Sequence, residues 1–444
     1  MSQSSKWNIW DFHLHTPCSI LNNSFGCAED AKTWDTYVSQ ITAKVQEKGI
    51  TALGITDYFT IEGYKKVLEL KESGKLGNVF VFPNIEFRVD KVIYRSKGGH
   101  EPRRLNLHVL LSPEIQPQDI EEGFLHDLDF YYEQDPFNSA TTRKLKIPNL
   151  REFGEYLQEQ QTSFQSKPST FVGCMNAVVK TEQIKECLDR KFRGKYLIVL
   201  ADEDLSDMDW NGQDQGVRKH LVQMSHAIFS SNHKTREFCL GNKHSSPEDF
   251  IREFKSLKPC LWGCDSHGYE ERFLEPIDKR YCWVKAGVSW EGLKQVLYEP
   301  CERVRVQTEN PETQKSSFTL ESLKIERTDL NNSLAIDEFS VELNPNLVTV
   351  IGGRGSGKTA LLDIIASCFR EGEKLQTLET SFIHRLYIKK GKIKPSTSSI
   401  KAFLTFRSGE SYMGEIGSCE FVPFERSDGE HPNYARTVKT QVDH

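Results

Sequence analysis

The sequence predicts an α/β protein whose first domain is a closed barrel of strands and helices. Three observations carry that expectation. Short apolar runs alternate with helical stretches from the N-terminus onward. His13-Leu-His15 near the start and Asp265-Ser-His267, about 250 residues later, repeat one i, i+2 polar pattern. Finally, the apolar run Leu347–Ile351 leads into a glycine-rich loop and an apolar helix, which announces a second α/β domain.

Trp7, Ile9, Trp10 and Phe12 make the first stretch a buried strand, on which Asp11, His13 and His15 project to one face. Ala31–Lys48 has helical spacing, with Trp34, Tyr37, Val38, Ile41 and Val45 on one side, and Gly49 ends it. Ile50–Asp57 is the next strand, followed by a helix over about Ile61–Glu72. Asn78–Val89 is a third strand carrying Glu86, and Leu105–Leu111 a fourth carrying His108. The alternation predicts a parallel sheet. Residues 112–195 fit it poorly and read as an insertion, helical near 149–161 and 180–191. Tyr196–Leu200 resumes the pattern and ends in Asp202-Glu203-Asp204. A helix over Gly216–Met224 and strands at Ala227–Ser230, Pro259–Gly263 and Tyr281–Val284 follow, and Trp290–Tyr298 closes the domain. The expected boundaries are 1–307 for the first domain, 308–317 for a polar linker and 318–444 for the second.

Imidazoles and carboxylates converging from strand ends form half of a metal site. Two such half-sites at opposite ends of one domain imply that its first and last strands meet around metal ions. The net charge of −6 gives no overall pull toward nucleic acid, though it leaves room for a local basic groove. No run of eighteen apolar residues exists, and the N-terminus lacks an apolar h-region. A cytoplasmic protein with no membrane partner is expected. Its eleven cysteines form no CxxC pair, and Cys260 and Cys264 read as free thiols.

Gly352-Gly353-Arg354-Gly355-Ser356-Gly357-Lys358-Thr359 matches G-x-x-x-x-G-K-[ST] in full. Its backbone N–H groups would wrap a phosphate, Lys358 would reach the β- and γ-phosphates, and Thr359 would ligate Mg²⁺. The second domain is therefore expected to bind ATP with Mg²⁺. The basic stretch Tyr387–Lys394 reads as a solvated hairpin.

The first domain resembles the PHP (polymerase and histidinol phosphatase) family of metal-dependent phosphoesterases. The resemblance rests on Asp11-Phe-His13-Leu-His15 and Asp265-Ser-His267, with Ile55-Thr-Asp57, Glu86 and His108 in family order between them. It implies a distorted (β/α)7 barrel holding two to three ions. His13, His15, Glu86, His108, Asp265 and His267 would be the ligands and catalytic groups, and Asp11 would either ligate or orient a histidine. The site's mixture of ligands suits Mn²⁺, Zn²⁺ or Fe²⁺. Two departures stand out. The family reads Thr-Asp-His where this chain has Thr56-Asp57-Tyr58, so Asp57 either substitutes as a ligand or one position is empty. A histidine normally follows the strand at 196–200, where this chain has Asp202-Glu203-Asp204, either ligands or a solvated acidic loop. His226 and His233 read as ordinary histidines.

The stretch Leu320-Glu-Ser-Leu-Lys-Ile-Glu with the downstream phosphate loop resembles the N-terminal lobe of SMC-like ABC ATPase heads, with Gln441 as the Q-loop glutamine. Of the 444 residues only 85 follow Thr359, so the head is expected to be incomplete. The order of the two parts resembles the TrlF-like bacterial PHP–ATPase fusions, some of which act in antiphage defence. That resemblance implies an ATP-gated, metal-dependent nuclease acting on DNA or RNA, assembled as a homo-oligomer through its heads. Two alternatives stay open. The barrel is a small-molecule (nucleotide) phosphatase, or an altered sensor and docking module attached to the ATPase.

Overall fold

The computed structural model describes residues 6–94, 102–132, 141–202, 205, 212, 214–270, 273–312, 319–327, 338–344, 348–367, 379–389, 392–393, 400–409, 411–416 and 422–426. The chain divides into two compact units, one of them Lys6–Pro311 and the other containing Glu312–His444.

The first unit opens with β1 (Trp7–His15), α1 (Ala31–Lys48), β2 (Ile50–Tyr58), α2 (Glu62–Glu72), β3 (Phe80–Tyr94) and β4 (Pro102–Leu111). Then come α3 (Pro117–Gly123), β5 (Asp129–Tyr132), β6 (Thr141–Lys144), α4 (Ile147–Gln160), α5 (Ser169–Asn176) and α6 (Thr181–Lys191). The remaining strands are β7 (Tyr196–Ala201), β8 (Ala227–Phe229), β9 (Cys260–Leu261), β10 (Tyr281–Lys285) and β11 (Val304–Gln307). Nine of them make one sheet in the order β11-β10-β1-β2-β3-β4-β7-β8-β9.

This sheet is mixed, where the alternation of strands and helices predicts a parallel one. β4 runs antiparallel to both β3 and β7, and β10 antiparallel to β1. Among the described residues no helix separates β3 from β4. A strand that returns without a crossover pairs antiparallel.

β1 has two sets of neighbours on one side. Trp7–Trp10 pair with β10. Its ladder to β2 is then irregular between Asp11 and Leu14, and beyond that point the strand meets residues 262–266. The Phe12 N–H donates to the Trp262 carbonyl (3.3 Å), the Asp265 N–H to the His13 carbonyl (2.8 Å) and the His15 N–H to the Ser266 carbonyl (3.2 Å). The segment after β9 thereby reaches the strand that opens the chain. The sheet is nearly closed and barrel-like.

Strand alternation fills its two faces differently. Trp10, Phe12, Ala52, Phe82, Leu110 and Val199 form one apolar cluster. Leu53 and Ile55 of β2 belong to another, with Tyr37 and Ile41 of α1 and Val67 of α2. The α1 face is the one its periodicity predicts, with Asp30 capping the Lys32 N–H and Gly49 ending the helix at a φ of 70°.

Residues 112–195 contain the two expected helices, α4 and α6, and also α3, α5 and the β5–β6 hairpin. The block is tied to β3 through a Val89–Val179 bridge and through the Asp90 carboxylate, which accepts the Thr181 N–H (3.2 Å).

In the second unit β12 (Leu320–Arg327), β13 (Phe339–Glu342), β16 (Ile400–Phe406), β17 (Ser411–Ile416) and β18 (Val422–Arg426) form an antiparallel sheet, β13-β12-β16-β17-β18. A small hairpin, β14 (Ile388–Lys389) with β15 (Lys392–Ile393), occupies the basic stretch. Leu323, Ile325, Ala402 and Leu404 pack with Ile364 and Ala366 of the helix Lys358–Ser367. The strand expected before the phosphate loop is not formed. Residues 348–351 are outside any strand, and Ile351 is 85% exposed. The apolar pattern of this run is real, but a strand also needs a hydrogen-bonding neighbour, and none pairs with it among the described residues. Leu347, Gln441, Glu203, Asp204 and residues 313–317 of the expected linker lie outside the described residues.

Candidate metal centre

Three segments deliver the site: the end of β1, the β3–β4 pair and the turn after β9. In the β3–β4 ladder Glu86 stands directly opposite His108. Both alternate onto the face that carries Phe82 and Leu110. The irregularity in β1 and its pairing with residues 262–266 bring His13 and His15 to Asp265 and His267. Asp265 takes a φ of 51°, a left-handed backbone that aspartate tolerates better than most residues. Gly263 marks how closely the two segments approach. A Cβ built there would stand 2.4 Å from the His13 backbone nitrogen.

The ligand-type atoms converge tightly. His13 Nε2 and His15 Nε2 are 3.0 Å apart. Glu86 Oε2 lies 3.4 Å from each of them, closing a triangle on that edge. Asp265 Oδ1, at 3.2 Å from His13 Nε2 and 3.5 Å from His15 Nε2, closes a second. His267 Nε2 joins Asp265 Oδ1 at 3.3 Å. His13, His15 and Glu86 form one group able to hold an ion, and His15, Asp265 and His267 another. His108 stands beside the first, its ring 4.6 Å from that of His13.

These separations fit a cation. Neighbouring ligand atoms at about 2.0–2.2 Å from one ion lie roughly 2.8–3.6 Å from each other at octahedral or tetrahedral angles. Glu86 Oε2, His108 Nδ1 and His267 Nδ1 are also buried without a hydrogen-bond partner. The charge balance points the same way. Burial opposes ionisation of Glu86 and Asp265, yet the surrounding imidazoles hold both carboxyls below their usual range. Burial likewise opposes charge on His15, but the Asp265 and Glu86 carboxylates beside it outweigh that and lift its pKa to about 9. His108, buried beside two other imidazoles, is pushed down to about 3.

Asp11 and Asp57, both expected near the metal, belong to neither group. The Asp11 carboxylate accepts the backbone N–H of His13 (3.0 Å) and of Cys264 (3.0 Å to Oδ2), and burial raises its pKa to about 6. It stitches the half-sites together through the backbone. Asp57 accepts the Thr16 hydroxyl at 2.9 Å on both oxygens, and burial raises it to about 7. Tyr58 stacks on His15 (centroids 5.0 Å apart) and lies parallel to the His267 ring at 6.3 Å. It therefore walls the pocket where the family pattern has a histidine. Asp202 turns elsewhere, accepting the Ser230 and Thr235 hydroxyls at 2.8 Å each.

In the sequence Ser19 reads only as a hydroxyl after the first half-site, without a base partner to make it a nucleophile; its Oγ lies 3.0 Å from His15 Nδ1 while it donates to the Leu21 carbonyl. Sequence reasoning passed over Asn106, whose amide donates to Glu86 Oε1 at 2.8 Å. Neither has a motif signature. For Ser19, only its place four residues after His15 could have suggested the contact. His226 is structural, its Nδ1 accepting the Ile198 N–H at 3.0 Å, and the His233 side chain is 80% exposed. Cys260 and Cys264 are buried free thiols.

In the phosphate loop, Gly355 and Gly357 take φ values of 82° and 87°, which a residue with a Cβ adopts only with strain. The Lys358 ammonium folds back onto the carbonyls of Gly352 (2.6 Å) and Gly353 (2.8 Å). Among the described residues no helix is long and apolar enough to cross a membrane.

No protein-family model and no curated protein matches this chain. Among solved structures, a chain from Bifidobacterium adolescentis, provisionally named a metal-dependent phosphoesterase, aligns with 61% of this chain and 94% of its own length. The two share 11% identity with a TM-score of 0.29, a likeness too slight to carry an argument. The centre stands on its own geometry.

Proposed function

We propose that Lys6–Pro311 is a metal-dependent phosphoesterase and that its substrate is the phosphodiester backbone of a nucleic acid. The observation that carries the reading is the convergence of His13, His15, Glu86, Asp265 and His267 on separations suited to shared cations. Bound divalent ions would supply an activated water and neutralise phosphate charge. His13, His15 and Glu86 would hold one ion; Asp265 and His267, with His15, would hold another. His108 would flank Glu86, and Asp11 would keep the half-sites in register. The Asp265 side chain is 59% exposed, so a phosphate within a long chain can approach from that side. Resemblance to the PHP pattern supports the reaction class.

The phosphate loop extends the proposal. Lys358 and Thr359 would bind MgATP, and nucleotide binding would gate hydrolysis in a homo-oligomer of the kind bacteria use against phage. That part rests on the motif and on the order of the two units.

Hydrolysis of single-stranded DNA, duplex DNA, RNA and simple phosphomonoesters, each assayed with Mn²⁺ and with or without ATP, tests the proposal. Cleavage of a polynucleotide that is lost in His13→Ala/His15→Ala and responds to ATP only when Lys358 is intact supports it. Turnover of phosphomonoesters alone would replace it with a small-molecule phosphatase. No turnover of any substrate would leave a docking module.

A further inference from the structure

Arg88 lies two residues beyond Glu86 on β3, and strand alternation puts both on the face that carries the metal cluster. Asn106 stands opposite Arg88 in the β3–β4 ladder, as His108 stands opposite Glu86. Along this face the buried Asn84 comes first, then the Glu86–His108 pair, then the Arg88–Asn106 pair. A half-buried arginine therefore sits one strand step past the ligand cluster.

Its guanidinium is anchored. Nη1 donates to the carbonyl of Met175, near the end of α5, at 2.9 Å. Its charge reaches the Cys174 thiol of the same helix and the Tyr58 hydroxyl of β2. Tyr58 is the residue that walls the metal pocket beside His15 and His267. The guanidinium thus lies near both α5 and that wall.

The carboxylates on this face have their own partners. Glu86 Oε1 accepts the Asn106 amide, and Oε2 faces His13 and His15. Asp90, two residues further along β3, accepts the Thr181 N–H and pairs with Lys91 (3.0 Å). A guanidinium carries five N–H donors in a rigid fork, and the bond to Met175 takes one of them. A fork of this kind matches a phosphate group better than any other side chain does.

Granted the phosphodiesterase proposed above, we propose that Arg88 is a substrate-binding residue that grips the phosphate next to the scissile one in a polynucleotide. Two residues of strand advance roughly 6.4–6.8 Å. A phosphate held at the ions therefore leaves its neighbour in the chain to a cation offset along the same face. A simple phosphomonoester has no second phosphate to offer, so Arg88 selects for chain substrates.

Binding is read first without turnover, by fluorescence anisotropy of labelled single-stranded DNA, duplex DNA and RNA oligonucleotides in Ca²⁺. Arg88→Gln removes the charge and keeps an amide donor for Met175. It should weaken the tightest of these complexes at least about tenfold. The plot of log K against log salt should become shallower by about 0.7–0.9, and Arg88→Lys should restore the slope. Mn²⁺ content and the circular dichroism spectrum of Arg88→Gln should match those of the native chain. Turnover with Mn²⁺ is the second readout. The ratio of kcat/KM on a trinucleotide to that on a dinucleoside monophosphate, which has no second phosphate, should fall at least about tenfold in Arg88→Gln. Unchanged affinity and slope in that variant, an equal loss on both substrates, or no oligonucleotide binding by the native chain would overturn the proposal. So would tighter binding of a nucleoside bisphosphate than of any oligonucleotide. Binding that depends on Arg88 with no cleavage of any substrate would count against the phosphodiesterase and leave the Arg88 contact standing.

Discussion

Asp11 and Cys264, 253 residues apart in sequence, are joined by a carboxylate that accepts one backbone N–H at 3.0 Å. The same carboxylate accepts the His13 N–H. One buried side chain therefore fixes the spacing between the two histidine-bearing segments. Asp11→Ala should leave both N–H groups unpaired, at a cost of about 1–3 kcal/mol each. Urea unfolding should show that loss, and Asp11→Asn, which keeps an acceptor, should recover part of it.

Ser19 should act on the metal through His15. Its hydroxyl meets His15 Nδ1 and so leaves Nε2 facing the cluster. Removing such a partner typically lowers metal affinity about 10–100-fold. Ser19→Ala should show that drop in a competitive chelator titration, with little change in unfolding midpoint. A Ser19→Ala protein with wild-type affinity would deny Ser19 its positioning role.

Gly263 tests the closure of the sheet. A methyl group there would meet the His13 backbone nitrogen at 2.4 Å and its Cβ at 2.6 Å. Because both contacts are on β1, no flexible side chain can yield. Gly263→Ala should cost about 1–3 kcal/mol or more and weaken metal binding together with stability. An alanine variant of unchanged stability would show that the approach is looser than described.

His226 predicts an acid limb of stability. Its Nδ1 accepts the Ile198 N–H, and burial lowers its pKa from the usual 6.5 to about 4. The unfolded chain therefore binds more protons than the folded one between these values. The stabilising contribution is complete above about pH 6.5 and is lost as pH falls toward 4, by up to about 1.4 kcal/mol per pH unit. Denaturant midpoints across that window should fall in the native protein and fall less in His226→Gln.

What the sequence made legible follows from what is local. The α1 face and the i, i+2 pairs His13/His15 and Asp265/His267 depend on spacing alone, and spacing is written in the chain. The direction of β4 was not legible, because His108 sits on an apolar strand of the same appearance whether that strand runs parallel or antiparallel. Nor were the partners of Asp11 and Asp57. Both carboxylates look like ligands by position, but their oxygens meet backbone N–H groups and a threonine hydroxyl, contacts that depend on the fold and not on a motif. The apolar run at 348–351 shows the limit from the other side, since its pattern names a strand but cannot supply the strand beside it.

The proposed phosphoesterase stands or falls on whether His13, His15, Glu86, Asp265 and His267 hold divalent cations. Metal content after equilibration with Mn²⁺ and removal of free ion measures it directly. The native chain should retain at least about one ion, and His13→Ala/His15→Ala should retain almost none while keeping its circular dichroism spectrum. A native chain that retains no ion, or a double variant that retains as many as the native chain, would contradict it.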